Sequence, residues 1–491
     1  MDHKESQERL AFRILNNSAA LIGGEFFYHF INFLAGIMIA RSLGTQTYGM
    51  FSFIFVYLSF FEIFIQFGMN AILQREIVRN KEYAPKILGN AVILRLILTA
   101  IAVIAAIFLI RWLKYPVTIQ TGVWLAAFQL FLGLRSVYEV IFRVNLLMFY
   151  PAFWNGIRAL LNLMLVAAVM VFSPGISYFI AAYLISGVTG LLGIAFFSRR
   201  FVSFSLQWDW RLMKDLAMQS APLMAASYLT LLYYRIDVFM LSKMKSFADV
   251  GYYSVATRLT EALDIVSTAL TASLFPLLAR SFKENRLEFE RLVRKAFAVL
   301  LLAGLPVALG GGFVARELVI FLFGQAYLQS SFTLMILFWY SFFGFFSTLL
   351  VNLLIICGRQ IVDVWVSLIL IMLNVAMNLW LIPLFSYNGA AGATVLTEII
   401  GMTFMLVYAV KHQNIRLPVP GREVVLSLRV NAFFFLGLCG MKMIFHLPFY
   451  VYIPLAALFY FSLLLMHKII NLEDCRSYVS GAKRHFRGIH E

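Results

Sequence analysis

Residues 251–275 read GYYSVATRLTEALDIVSTALTASLF, a mostly apolar stretch that nevertheless carries Arg258, Glu261 and Asp264. A membrane-spanning helix needs about 20 mostly apolar residues. An ionised side chain in the middle of a bilayer costs about 3 kcal/mol or more, so such residues usually face a protein interior or a wet cavity. The three charges recur every third residue and cover one arc of a helix. The stretch therefore predicts a spanning helix with one charged side.

The rest of the chain repeats this pattern. Hydrophobic residues make up 62% of the 491-residue sequence, against about 45–50% in soluble proteins. This composition excludes an ordinary soluble domain and predicts an all-α polytopic membrane protein with about 14 transmembrane helices. The predicted spans are 18–40, 48–70, 91–112, 122–144, 150–173, 176–198, 215–241, 251–275, 296–315, 328–353, 362–385, 389–411, 426–446 and 449–470.

The net charge of +16 is unevenly distributed along the chain. Lys and Arg concentrate in the connections 75–86, 199–214 and 280–295 and in the two terminal segments. Positive residues stay on the cytoplasmic side during insertion, so we expect both termini to be cytoplasmic. The basic balance thus reflects topology and contact with membrane lipids, and no nucleic-acid partner is expected.

A short repeat predicts two lobes. Residues 48–52 (YGMFS) and 250–254 (VGYYS) each place a glycine and a serine at the start of an even-numbered span. Six spans separate them, which predicts parallel repeats related by an axis along the membrane normal. The predicted parts are a cytoplasmic N-tail (1–17), an N-lobe (18–198), a basic linker (199–214), a C-lobe (215–411), two added spans (426–470) and a basic C-tail (471–491).

Charged and amide side chains inside the spans are the candidate site. Arginine binds phosphate through a planar fork of two parallel hydrogen bonds, so the arginines indicate an anionic substrate. The candidate substrate-cavity residues are Arg95, Arg135, Arg158, Arg235, Arg258, Asn155 and Asn162. The acids suit a coupling ion, H⁺ or Na⁺, instead. The candidate ion-coupling or cavity acids are Glu25, Glu62, Asp237, Glu261 and Asp264.

Two of these arginines have simpler explanations. Arg135 and Glu139 are four residues apart and can neutralise each other on one helix face. Arg95 lies close to the cytoplasmic end of its span and can extend its side chain to the interface. The three cysteines are widely separated. Their spacing predicts no metal site, and we expect no cofactor.

Several short motifs occur in an order typical of one family. They are Ala40–Gly44 followed by Tyr48-Gly49, Tyr234–Asp237, Val250–Tyr253, Leu274–Pro276, Leu322–Gly324 with Tyr327, and Ile382-Pro383 followed by Gly389–Thr394. Together they resemble the polysaccharide biosynthesis (Wzx-type) flippases of the multidrug/oligosaccharidyl-lipid/polysaccharide exporter superfamily. By position, Asp237 matches the acidic residue that the family commonly carries in its seventh span.

The resemblance implies a non-enzymatic flippase in the bacterial cytoplasmic membrane. Its substrate would be an oligosaccharide linked to a polyprenyl diphosphate, moved by alternating access and coupled to an ion gradient. A polysaccharide polymerase and chain-length proteins are the implied partners. Two alternatives remain open: a multidrug or lipid II exporter of the same superfamily, and a membrane-embedded polymerase or glycosyltransferase. The short external connections and the lack of an Asp-x-Asp pair disfavour the enzyme.

Overall fold

The computed structural model describes residues 3–172, 175–202, 204–413, 422–444 and 448–467. Within these ranges every regular element is helical, as predicted. The α-helices are α1 (His3–Gln66), α2 (Met69–Arg79), α3 (Ala84–Trp112), α4 (Val117–Ala126), α5 (Gln129–Leu132), α6 (Arg135–Val144), α7 (Phe149–Phe172), α8 (Ile176–Ser198), α9 (Trp210–Met244), α10 (Phe247–Glu284), α11 (Arg286–Phe323), α12 (Ser330–Ile356), α13 (Gln360–Gln413), α14 (Arg422–Ile444) and α15 (Phe449–Met466).

The helices support a multi-pass membrane protein. In the described residues, 10 helical segments are long and apolar enough to cross a bilayer. The two longest, Gly23–Arg79 and Gln360–His412, each contain a sharp break and cover two predicted spans. The remaining predicted spans, 215–241 and 449–470, fall on α9, which is more polar, and on the shorter apolar helix Tyr450–Met466.

Two residues with left-handed backbone geometry produce those breaks. Gly44 has φ 69° and ψ 174°, a conformation that is open to glycine because it has no Cβ. Ser386 has φ 51° and ψ −133° and follows Pro383, which cannot donate to the helical ladder. The Ser386 hydroxyl donates to Asp249 Oδ1 at 2.9 Å, and this contact helps to hold the strained residue.

Two further predicted spans are irregular. α1 and α2 are separated by Phe67 and Gly68, which have φ 52° and 63°. A Cβ added to Gly68 would lie 2.6 Å from the Cβ of Leu223 on α9, so the close approach also requires glycine. In the predicted span 122–144, α4, α5 and α6 are joined by short-range bonds such as Ser136 N to Gly133 O at 3.2 Å. Interrupted helices expose carbonyl oxygens that need other donors.

The chain divides into two compact units, residues 1–255 with 375–390 and residues 256–374 with 391–491. In the first unit a buried cluster joins α2, α3, α6 and α9 through residues such as Met69, Leu88, Val137 and Leu216. In the second unit α11 packs against α12 and α14. The lobe boundaries given above stay a prediction from the repeat.

Hydrogen bonds and an ion pair attach the predicted basic linker, residues 199–214, to the start of α3. Ser205 N donates to Pro85 O at 3.1 Å, and Asp209 N donates to Asn90 Oδ1 at 2.9 Å. Lys86 Nζ lies 2.7 Å from Asp209 Oδ2. The hydrogen bond from Lys86 holds the pKa of the Asp209 carboxyl below its ordinary value.

Candidate functional site

A polar cluster in the first unit surrounds Arg158 on α7. Its guanidinium carbon lies 5.5 Å from the ring centroid of Tyr28 and 5.4 Å from that of Tyr183. Arg158 Nη2 also donates to the Tyr183 hydroxyl at 3.1 Å. A Cβ added to Gly190 would lie 3.1 Å from Arg158 Cδ, so α8 makes room for the arginine stem. The cation is thus held beside two aromatic faces.

Amide and acidic side chains extend this cluster. Asn162 Nδ2 donates to Asn32 Oδ1 at 3.3 Å, and Asn32 Nδ2 donates to the Tyr28 carbonyl at 2.8 Å. The negative charge of Glu62 acts on Arg158, while Gln66 Nε2 donates to Glu62 Oε1 at 2.9 Å. We call Tyr28, Asn32, Glu62, Arg158, Asn162 and Tyr183 the Arg158 cluster. It combines a guanidinium cation with amide, hydroxyl and carboxylate groups that form hydrogen bonds.

Arg95 has a different environment. Its side chain is fully buried, with 0% exposure, and so does not extend to the membrane interface. Its guanidinium donates to Asn70 Oδ1 at 2.7 Å, to the Gln66 carbonyl at 3.4 Å, to the Gly133 carbonyl at 3.2 Å and to the Ser136 hydroxyl. These acceptors flank the interruptions near 67–68 and 133–134. Arg95 therefore joins two broken helices and lies outside the Arg158 cluster.

Arg135 pairs within its own helix, as the four-residue spacing predicts. Its Nε lies 3.0 Å from Glu139 Oε1, and its Nη1 donates to Asn155 Oδ1. Glu139 is 9% exposed. The predicted stripe of Asn155, Arg158 and Asn162 on α7 consequently divides between different partners, because Asn155 contacts Arg135 and Asn162 contacts Asn32.

Asp237 on α9 is buried, with 2% of its surface exposed. Its Oδ2 accepts a hydrogen bond from the Tyr253 hydroxyl at 2.5 Å, and its Oδ1 accepts one from Asn378 Nδ2 at 3.0 Å. Both oxygens of this carboxylate thus have donors from α10 and α13. Arg235 is half-buried two residues earlier on the same helix. Their spacing of two residues predicts different directions for the two side chains.

The second unit contains another set of charges. Arg258 and Asp264 on α10 are half-buried, whereas Glu261 is exposed. The negative charges of Glu261 and Glu398 act on Asp264. Among the described residues, no group of three or more side chains is arranged to hold a metal ion.

One predicted residue stands apart. Glu25 on α1 is exposed, as is His29 one turn later, whereas Asn32 of the same predicted stripe contacts Asn162. The structure thus brings Glu62, Arg158 and Asn162 together and leaves Glu25, Arg95 and Arg135 in other places.

Sequence reasoning missed several members of these groups. Tyr28 and Tyr183 are common aromatic residues of a membrane protein, and nothing in their spacing marks them as partners of an arginine. Glu398 is different, because it is a 7% exposed acid inside the predicted span 389–411. The rule that identified the other intramembrane acids would have found it.

Comparisons with known proteins identify the family and the fold. The family model described as "Polysaccharide biosynthesis protein" matches residues 14–282, more than half of the chain. The chain belongs to this family. The capsular polysaccharide biosynthesis protein CapF of Staphylococcus aureus is 22% identical over 375 residues, which are 75% of this chain and 92% of CapF.

Solved structures with the same fold are transporters. The lipid II flippase MurJ, in an inward closed conformation, matches with a TM-score of 0.75 at 14% identity over 93% of this chain and 99% of MurJ. An inward-facing multidrug-resistance transporter of the MATE family gives a TM-score of 0.62 at 18% identity over 79% and 96% of the two chains. This family member therefore has the fold of the exporter superfamily that its motifs resemble.

Proposed function

We propose that this protein is a flippase that moves polyprenyl-diphosphate-linked oligosaccharide units from the inner to the outer leaflet of the bacterial cytoplasmic membrane. It would act in surface polysaccharide synthesis, without chemistry of its own, by alternating access. Membership in the polysaccharide biosynthesis family supports the substrate class. The transporter fold supports movement of a substrate rather than its synthesis.

The Arg158 cluster is the observation that carries the proposal. The planar guanidinium can donate two parallel hydrogen bonds to oxygens of a diphosphate, and an arginine whose stem is fixed by neighbours loses less entropy when it binds one. Tyr28 and Tyr183 leave the remaining N–H groups of Arg158 for the phosphate oxygens. Asn32 and Asn162 would exchange their mutual hydrogen bond for bonds to sugar hydroxyls. The prenyl chain would stay in the lipid. Arg258 and Arg235 remain candidates from sequence for further contacts.

Ion coupling is the second part of the proposal. Asp237, Glu261 and Asp264 are acids within the predicted spans, and Glu62 lies in the Arg158 cluster. A proton or Na⁺ that binds one conformation better than the other would shift the balance between them. The charge of Glu62 acts on Arg158, so neutralising it would strengthen the attraction of that arginine for a phosphate.

A second candidate function is export of lipid II or of drugs. It is favoured by the structural similarity to MurJ and to the MATE transporter. The two candidates differ in what a deletion removes. Loss of a capsular or other surface glycan supports the first, whereas a failure of cell-wall synthesis or a gain in drug sensitivity supports the second.

Two experiments test the proposal together. In the first, the gene is deleted and the undecaprenyl-linked precursors are analysed by mass spectrometry. We expect complete repeat units to accumulate at the inner leaflet and the surface glycan to disappear. In the second, the purified protein is placed in vesicles with a fluorescent lipid-diphosphate oligosaccharide. Failure to expose this substrate at the outer leaflet would refute the flippase, and altered precursor structures would indicate an enzyme.

A further inference from the structure

The spanning helix α11 contains a break in its own hydrogen bonding. Pro306 lies inside this helix and has no N–H to donate to the carbonyl four residues earlier, which is that of Leu302. An unpaired carbonyl is costly inside a membrane. The Tyr460 hydroxyl on α15 donates to the Leu302 carbonyl at 2.7 Å. α15 thus supplies the hydrogen bond that the proline removes.

Three consecutive glycines follow this proline, one turn further along α11. A Cβ added to Gly311 would lie 2.7 Å from the ring of Phe338 on α12, so packing explains this glycine. A Cβ at Gly310 would meet no atom closer than 3.8 Å, and nothing lies within 4 Å of a Cβ at Gly312. Glycine inside a helix is destabilising relative to alanine, and packing leaves these two glycines unexplained. We call residues 306–312 the α11 hinge.

α14 and α15 hold the part of α11 that precedes the α11 hinge. In addition to the bond from Tyr460, Ser427 Oγ on α14 lies 3.5 Å from the Ala298 carbonyl, one turn before Leu302. Ser427 and Asn431 are each 1% exposed, and Asn431 forms a hydrogen bond with Tyr460. Because these side chains are short and buried, they fix this part of α11.

The attachment that follows the α11 hinge is different. Lys442 Nζ on α14 donates to the Phe313 carbonyl at 2.9 Å, and the lysine is exposed. The flexible stem of a lysine lets its ammonium group follow a displaced carbonyl. α11 is therefore held firmly before the hinge and loosely after it.

We propose that the α11 hinge bends during transport and that the pair α14–α15 is a brace that fixes the arm of α11 before it. The proposal rests on alternating access by the proposed flippase. Hinge motions concentrate a change of shape at a few weak positions while the rest of the structure stays packed. Pro306, Gly310 and Gly312 weaken α11, and Tyr460 pairs the carbonyl that the proline leaves without a donor. The brace gives the two added spans a role in the transporter.

A double-mutant cycle tests the brace without any substrate. Tyr460→Phe leaves the Leu302 carbonyl unpaired, so the thermal midpoint of the detergent-purified protein should fall by about 3 °C. Pro306→Ala restores an N–H to the helix, and in that background Tyr460→Phe should lower the midpoint by less than about 1 °C. An equal loss in both backgrounds would refute the brace.

Tyr452→Phe is the matched control for this cycle. The Tyr452 hydroxyl donates to the Leu438 carbonyl at 3.0 Å. Four residues after Leu438 comes Lys442, which has an N–H, so this carbonyl keeps its helical donor. Tyr452→Phe should therefore change the midpoint equally with and without Pro306. A dependence on Pro306 would show that the cycle measures general loosening and would contradict the brace.

A pair of glycine substitutions tests the hinge. Gly312→Ala stiffens α11 without a clash, so flipping in vesicles should slow by about fivefold or more, while the thermal midpoint stays unchanged or rises. Gly344→Ala on α12 is the matched control, because nothing lies within 4 Å of a Cβ at that glycine either. It should leave the flipping rate within about twofold. Equal flipping rates for the two variants would overturn the hinge.

The two proposals fail separately. Wild-type vesicles that do not flip the lipid-linked oligosaccharide refute the flippase, while the double-mutant cycle still decides whether Tyr460 braces α11. Wild-type, Gly312→Ala and Gly344→Ala vesicles that all flip at the same rate refute the hinge and leave the flippase standing.

Discussion

Arg95 and Arg158 are both arginines of predicted spans in the first unit, yet the protein surrounds them differently. Arg95 is completely buried and donates to oxygens on two interrupted helices. Arg158 lies beside the rings of Tyr28 and Tyr183 and donates a hydrogen bond to the phenol oxygen of Tyr183. An arginine whose two Nη atoms are held by fixed oxygens stabilises a fold. One held by ring faces keeps donors for an anion.

The largest effect expected from this comparison is on transport by Arg158→Ala. Loss of a charge-assisted contact costs about 1.5–3 kcal/mol, which corresponds to a flipping rate lower by about 10- to 100-fold. The thermal midpoint of the detergent-purified protein should change by less than about 2 °C, because the ring contacts are weak. The measurements are vesicle flipping and surface glycan in a complemented deletion strain.

Arg111→Ala is the matched control, because this arginine is exposed at the end of α3. It should leave both measurements unchanged. Normal surface glycan in the Arg158→Ala strain at equal protein abundance would remove Arg158 from the substrate site.

The opposite outcome is expected for Arg95→Ala. The oxygens of Gln66, Asn70 and Gly133 would lose a buried charged donor, a change that typically costs about 3–5 kcal/mol. Protein abundance and the thermal midpoint should therefore fall, and the flipping rate per folded molecule should stay within about threefold. A stable Arg95→Ala protein without transport would break the comparison, since it would place Arg95 with the substrate.

A smaller change, Tyr183→Phe, separates the two contacts that Tyr183 makes with Arg158. It keeps the aromatic face and removes the hydroxyl that accepts from Arg158 Nη2. A single hydrogen bond is worth about 1 kcal/mol, so we expect flipping to slow by about fivefold. Tyr183→Ala should cost more, because it also removes the ring. Equal rates for the Phe and Ala variants would show that the ring contributes nothing.

The smallest effect is expected from removing Lys86, a cation in a predicted connection between spans. Lys86 pairs with Asp209, and this pairing lowers the pKa of the Asp209 carboxyl. The stabilisation is therefore present above the ordinary Asp pKa of about 3.9 and lost as the pH falls through the lower folded value. We expect the protection factors for amide exchange in residues 204–209, corrected for the intrinsic rate at each pH, to fall as the pH drops through that folded value. Lys86→Ala should show the same low protection already at pH 7, and unchanged protection there would refute the pairing.

Much of the fold could be predicted from the sequence, because length and apolarity alone define a spanning helix. The predicted boundaries 150–173 and 176–198 agree with α7 and α8 to within a residue. The intramembrane pair of Arg135 and Glu139 also follows from spacing on one helix. The breaks within the spanning helices are harder to predict from the sequence. The break at Phe67–Gly68 depends on the close approach of Leu223, a contact distant in sequence.

The candidate site could be predicted only in part, for the same reason. The charge of Arg158 is visible in the sequence, but its environment is set by Tyr28 on α1 and Tyr183 on α8. Spacing along one helix fixes which side chains share a face and leaves open what that face meets. Arg95 illustrates the consequence, since its partners Asn70 and Gly133 belong to elements that helical periodicity does not connect.

The contact between Ser52 and Ser254 bears on the origin of the predicted repeat. Gly49 and Gly251, which lie beside it, both leave no room for a Cβ. If the repeat arose by gene duplication, this is the contact that two identical copies would make across a two-fold axis. The ancestor would then have been a half-length protein that paired with itself through this glycine, before positions such as Tyr48 and Val250 came to differ.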